Sequence, residues 1–204
     1  MDQPLFDSAD SALRFAFSYS KQQYSPTPMA RLMRGTVGSG KGLVGNDGAA
    51  QAGMVRSEVE KLDALQLAIL IAQFAPAHLP CDCGASCCSR KKLNPEWNAA
   101  VNFLTEHTVQ LFAGSLSHYR LRRSLIERYF GARRDGNGKK LSVERLSEEC
   151  GVHRHTAASH NERLTRYLRG TKGINGEVGI QARAMRVVDE ILRGHGFVGI
   201  ADAA

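Results

Sequence analysis

The 204-residue chain has no apolar run approaching the roughly 18 residues that a membrane-spanning helix needs. Its N-terminus lacks a basic region and carries Asp2, Asp7 and Asp10 instead, so no secretory signal is expected. No unit of about 20–50 residues repeats, which excludes a solenoid. Almost no stretch reads as a strand. Catalytic constellations are missing too: the histidines have no Ser, Asp or Cys partners at telling spacings, and no acidic cluster resembles a nuclease or recombinase metal site. With 43% hydrophobic and 23% charged residues the composition is that of a folded protein, not a disordered tail. These absences predict an all-α, cytoplasmic protein that is not an enzyme.

What is present is positive charge, and it is unevenly placed. The chain carries a formal +7. Residues 1–117 hold 10 basic and 10 acidic side chains, and residues 171–204 hold 4 of each. His118–Gly170 hold 13 basic against 6 acidic, so the whole excess lies in one quarter of the chain. A basic segment between two neutral ones is the electrostatic footprint of a nucleic-acid-binding module, and equally of an Arg-rich solvated helix face.

Periodicity lays out the helices. Ser8 or Asp10 caps a first helix to about Ser20, with Ala9, Ala12, Leu13, Ala16 and Phe17 on one face, although Leu13, Phe15, Phe17 and Tyr19 also alternate as a strand would. Thr27-Pro28 starts a short helix ending at Gly35, and six glycines among residues 35–48 mark a flexible loop. A long helix runs from Asp47 to about Ala75, with Val55, Val59, Leu62, Leu65, Ile69 and Ala72 as its inner stripe. Asn94-Pro95-Glu96 starts the next helix, with Trp97, Val101, Leu104, Leu111 and Phe112 inward and Gly114 as its end. Ser117 opens another, carrying Leu121, Leu125, Ile126 and Tyr129, with Gly131 as its stop. Gly170, Gly173, Gly176 and Gly179 space a linker to a last helix at about 178–193. The expected segments are a helical 1–35, a Gly-rich loop 36–47, a helical domain 48–114 with a Cys-rich loop 78–93, a DNA-binding region 115–170, and a linker plus helix 171–204.

The most informative stretch is LSVERLSEECGVHRHTAASHNERLTRYL, residues 141–168. It fits a helix-turn-helix. Ser142 caps a helix with Val143, Leu146 and Cys150 inward, and Ser147 is small where two helices meet. Gly151 supplies a turn that needs positive φ. Val152 plugs the angle between the helices, and Ala157, Leu164 and Leu168 hold the second helix down. Opposite Ala157, at 100° per residue, lie His155, Ser159, Glu162 and Arg166, flanked by Arg154, Arg163 and Arg169. His, Ser and Arg can bond base edges in the major groove of double-stranded DNA, while Arg154 and Thr156 near the helix start can hold phosphates. Glu162 either accepts from a cytosine amino group or pairs with Arg166 one turn on. Asn161 and His160 border the inner face, where a polar side chain needs a partner.

The helix upstream ends LIERYFG (125–131). A Leu/Tyr-rich helix feeding a helix-turn-helix resembles the DNA-binding end of sigma-type factors and the Q-type phage antitermination proteins. The wider layout is similar to DNA-binding antiterminators of phages and prophages of Gram-negative bacteria: an opening LFDSADSALRFAF, a Gly-rich loop, a long helix, a Cys cluster, then the helix-turn-helix. The resemblance implies binding beside a late promoter, association with paused bacterial RNA polymerase, and readthrough of terminators in the host cell. It assigns the DNA contacts to His155, Ser159, Glu162, Arg163 and Arg166. A conventional activator or repressor at an operator is the alternative.

Two other motifs carry chemistry. Cys81, Cys83, Cys87 and Cys88 fall in CDCGASCC. In a reducing compartment, clustered thiols point to metal before disulfide, and zinc takes four ligands. The adjacent Cys87 and Cys88 share one ion awkwardly, so His78 or His107 is a candidate fourth ligand. Free thiols and a redox role are the other readings. Cys150 is packing. Residues 35–42, GTVGSGKG, satisfy the phosphate-loop pattern, which would make the protein nucleotide-binding. Gly42, however, stands where the Mg²⁺-binding hydroxyl belongs, and no strand precedes the loop.

Overall fold

A computed structural model describes residues 4–19, 46–81, 83–86, 88–113, 118–171 and 176–199. The expected helix at 27–35, the phosphate-loop pattern, Ser117 and Cys87 lie outside them. Among the described residues are eight α-helices, one short 3₁₀ segment and one two-stranded sheet. The chain divides into two compact units, Met1–Asp63 with Met185–Ala204, and Ala64–Ala184.

This division differs from the expected one because the long helix at 47–75 is broken. Helix α2 spans Asn46–Val59 and α3 spans Ala64–Phe74. Between them the amides of Lys61 and Leu62 turn back to the carbonyls of Glu58 and Val59, at 3.3 and 3.1 Å. Asp63, a poor helix former, follows directly. The expected inner stripe is correspondingly interrupted: Val55, Val59, Ile69 and Ala72 are buried, while Leu62 and Leu65 at the break are half-buried.

In the first unit, α1 spans Ala9–Ser18 and buries the five residues expected of it. Ser8 and Ser11 form a reciprocal capping box: the Ser11 amide donates to Ser8 Oγ at 3.2 Å and the Ser8 amide to Ser11 Oγ at 3.1 Å. Helix α2 packs on α1. Its Arg56 donates to the Ala16 carbonyl at 3.1 Å and lies 4.8 Å from the Phe17 ring centroid. His195 approaches Glu58 at 3.2 Å. The Lys61 ammonium, donating to both carboxylate oxygens at 2.7 and 2.8 Å, and to a lesser degree His195, hold the Glu58 carboxyl below its ordinary pKa.

In the second unit, α4 spans Pro95–His107, with Asn94 accepting from the Glu96 amide at 3.1 Å. It packs on α3, and Trp97 Nε1 donates to the Ala72 carbonyl at 3.2 Å. The helix stops at His107 and tightens into a 3₁₀ turn, Thr108–Phe112, where it was expected to continue to Gly114. Thr105 and Thr108, both buried, donate to carbonyls one turn back, which competes with the regular ladder. Helix α5, Tyr119–Tyr129, buries Leu121, Leu125 and Ile126; Tyr129 is half-buried because its hydroxyl donates to Gln181 at 2.5 Å. Helices α6, Val143–Cys150, and α7, Arg154–Arg169, complete the sequence of this unit up to the start of α8, Ile180–Gly194.

Candidate nucleic-acid interface and thiol cluster

The α6–α7 pair is built by local rules. Ser142 accepts from the Arg145 amide at 3.1 Å, capping α6. At its other end Gly151 takes φ 65°, ψ 33°. The Gly151 amide then donates to the Glu148 carbonyl (3.1 Å) and the Val152 amide to that of Ser147 (2.9 Å), the two bonds of a Schellman motif. His153 caps α7 through Nδ1, which accepts from the His155 amide at 3.4 Å. The turn between the helices is therefore three residues, 151–153.

Packing fixes the rotation of α7. Ala157, Leu164 and Leu168 are buried as expected, and Leu146, Ser147 and Cys150 are buried on α6, on which α7 packs. Val152 is only half-buried, because the tight glycine turn lifts it to the rim. The two polar residues flagged near the inner face have partners. His160, 4% exposed, places Nδ1 2.8 Å from the Thr156 carbonyl and its ring centroid 4.4 Å from that of Phe112. Arg128 Nη1 donates to Asn161 Oδ1 at 3.4 Å and, through Nε, to the Leu141 carbonyl at 2.5 Å.

With that rotation set, Arg154, His155, Ser159, Glu162, Arg163 and Arg166 are exposed on one side of α7. Thr156 is half-buried: it lies next to Ala157 and one turn before His160, on the packed edge. Arg166 Nη2 donates to Glu162 Oε1 at 2.9 Å, so the intrahelical pair forms. Part of the positive charge on the preceding elements is neutralised: Glu127 takes Arg123 and Arg133 at 2.9 and 2.8 Å, and Glu149 takes Arg133 and Arg145 at 3.4 and 3.7 Å.

The Cys-rich loop closes a hairpin absent from the sequence reading. Strands β1, His78–Pro80, and β2, Lys91–Leu93, pair antiparallel with Pro80 opposite Lys91. They are too short for alternation to be visible. The Cys81 amide extends the ladder to the Arg90 carbonyl at 2.9 Å. Inside the loop, the sulfurs of Cys81, Cys83 and Cys88 all lie within 4.8 Å of one another. Thiolates on one zinc lie about 3.8 Å apart, given bonds of about 2.3 Å, so a small contraction would close the site. The Ala85 amide and the thiols of Cys88 and Cys81 donate toward Cys83 and lower its pKa; Cys88, as a donor to Cys83, is raised. A metal ion would replace those shared protons. Neither histidine joins the cluster. His107 Nε2 is 3.0 Å from the Tyr167 hydroxyl, and His78 is exposed on β1 outside the thiol group. Cys150 is buried in the α6–α7 contact.

Comparison of the chain with protein-family models, with curated proteins and with solved structures finds no match.

Proposed function

We propose that the protein is a sequence-specific DNA-binding transcription regulator without catalytic chemistry, reading the major groove of double-stranded DNA with α7. The observation that carries this is the solvent face of α7, where Arg154, His155, Ser159, Glu162, Arg163 and Arg166 lie together over a helix–glycine turn–helix scaffold. Guanidinium, imidazole and hydroxyl groups on one helix face match the donor and acceptor pattern of base edges, and arginines near the helix start suit phosphates. Within this class we favour a phage antiterminator acting on RNA polymerase in the bacterial cytoplasm; the similarity of layout to Q-type proteins supports it.

We further propose that Cys81, Cys83 and Cys88 hold a structural zinc that ties the hairpin loop together. The mutual approach of their sulfurs supports this. Selection of duplex fragments from a random pool, followed by a transcription assay on the selected template, tests the function. Readthrough of a distant terminator supports antitermination. An effect on initiation alone supports an operator-bound activator or repressor.

A further inference from the structure

We propose that a cleft beside the C-terminal end of α7 is a binding site for a phosphate group, distinct from the outward face of that helix. The cleft, of about 310 Å³, is lined by Gln73, Tyr129, Phe130, Lys140, Arg169 and Gln181, all of the second unit. Two lining residues are cations and none is a carboxylate.

Backbone geometry brings the two cations to one place. Lys140 sits in a loop tied by a bridge to Arg134 and by the Leu141 amide donating to the Arg133 carbonyl at 3.0 Å. Its Nζ donates to the Tyr129 carbonyl at 2.9 Å, which leaves the ammonium two further protons to donate. Arg169 is the last residue of α7, and Gly170 and Gly179 then meet backbone to backbone. A Cβ on Gly170 would lie 2.5 Å from the Gly179 nitrogen, so only glycine permits the approach. The contact sets Arg169 beside the first turn of α8 and Gln181. Tyr129 Oη donates to Gln181, whose Nε2 donates to Gln73 Oε1 at 2.9 Å. Gln73 and Gln181, both lining the cleft, carry amide groups able to donate.

The charge here is uncompensated. Burial and then Arg128, Arg134 and Arg169 all press the Lys140 pKa downward, and no carboxylate offsets them. Arg128 spends its hydrogen bonds on the Leu141 carbonyl and Asn161, and Arg134 on the carbonyls of Gly131 and Gly138, which are neutral acceptors. Like charges gathered at a concave polar surface attract an anion, and a guanidinium fork beside an ammonium suits phosphate oxygens. The phosphate belongs either to a nucleic-acid backbone or to a free phosphorylated molecule.

The test is an NMR titration of the full chain with inorganic phosphate against chloride at matched ionic strength, repeated for Lys140→Gln and Arg169→Gln. Both residues are exposed overall and neither belongs to the apolar core, and melting curves of the two variants check that the fold is retained. The expected result is saturable shifts at Tyr129, Phe130, Lys140 and Arg169, with half-saturation raised by about tenfold or more in each variant. The absence of saturable phosphate-specific shifts, or shifts that survive both substitutions, overturns the proposal. A second arm measures the salt dependence of binding to non-specific duplex DNA. A slope reduced by about one per cation removed assigns the phosphate to the DNA backbone. An unchanged slope, with phosphate binding lost, assigns it to a free phosphorylated ligand. The phosphate arm needs no DNA, so its failure and that of the DNA reading are separate.

Discussion

Arg166 donates to Glu162 at 2.9 Å across one turn of α7, and both side chains stay largely exposed, at 58% and 71%. An exposed pair at this spacing contributes only about 0.3–0.5 kcal/mol to folding. Under the proposed function, the pair holds the guanidinium along the solvent face and can be exchanged for a base edge. Arg166→Ala and His155→Ala are expected to weaken specific DNA binding by about 1–3 kcal/mol each. Their thermal midpoints should stay close to wild type. Fluorescence anisotropy with melting curves separates the two effects, and unchanged affinity in both variants would place the interface elsewhere.

The glycines of the second unit differ in what they tolerate. Gly151 has positive φ but open space around an added Cβ, so Gly151→Ala should cost about 1–2 kcal/mol, the left-handed penalty alone. A Cβ on Gly179 would lie 2.2 Å from the Arg169 carbonyl carbon and 2.4 Å from the Gly170 nitrogen. Gly179→Ala therefore has to move backbone and should cost distinctly more. Denaturant titration of the two variants side by side checks the order.

Burial sets a similar contrast within the helix pair. Leu146 is fully buried and Val152 half-buried. Leu146→Ala should lose about 2–5 kcal/mol, and Val152→Ala clearly less. By the same measure Val152→Asp leaves its carboxylate within reach of water, so it destabilises without unfolding the motif, whereas Leu146→Asp abolishes it. Circular dichroism under denaturant distinguishes these outcomes.

In the thiol cluster, Cys83 is exposed with its pKa lowered, while Cys88 is half-buried with its pKa raised. A lower thiol pKa means a larger thiolate fraction at pH 8, and the thiolate is the nucleophile. Iodoacetamide should label Cys83 faster than Cys88 in metal-free protein, as read by peptide mass spectrometry. One equivalent of zinc should suppress labelling of Cys81, Cys83 and Cys88 together. Protein purified under reducing conditions without stoichiometric metal, and unprotected by added zinc, would contradict the metal site.

Much of this was legible in the chain because caps and faces are local. The Ser8 cap, the Asn94-Pro95-Glu96 start, the Gly151 turn and the buried Ala157, Leu164 and Leu168 each depend on residues a few positions apart. The misses needed tertiary information. The break at 60–63 carries no glycine or proline and follows from its two halves packing on different partners, α1 and α4. The hairpin at 78–93 has three-residue strands. Nothing local in the sequence places the His107 ring against Tyr167, 60 residues away, instead of near the cysteines. The Lys140–Arg169 cleft joins five separate parts of the chain, and the glycines that bring Gly170 and Gly179 together read in the sequence only as a linker.

Whether the exposed face of α7 reads DNA sequence is decided by selection from a random duplex pool at near-physiological salt with excess competitor. The expected result is a single enriched motif whose selection is lost or altered at defined positions with Arg166→Ala or His155→Ala. Recovery of duplexes without a common motif, or the same motif at the same affinity from both variants, would contradict it.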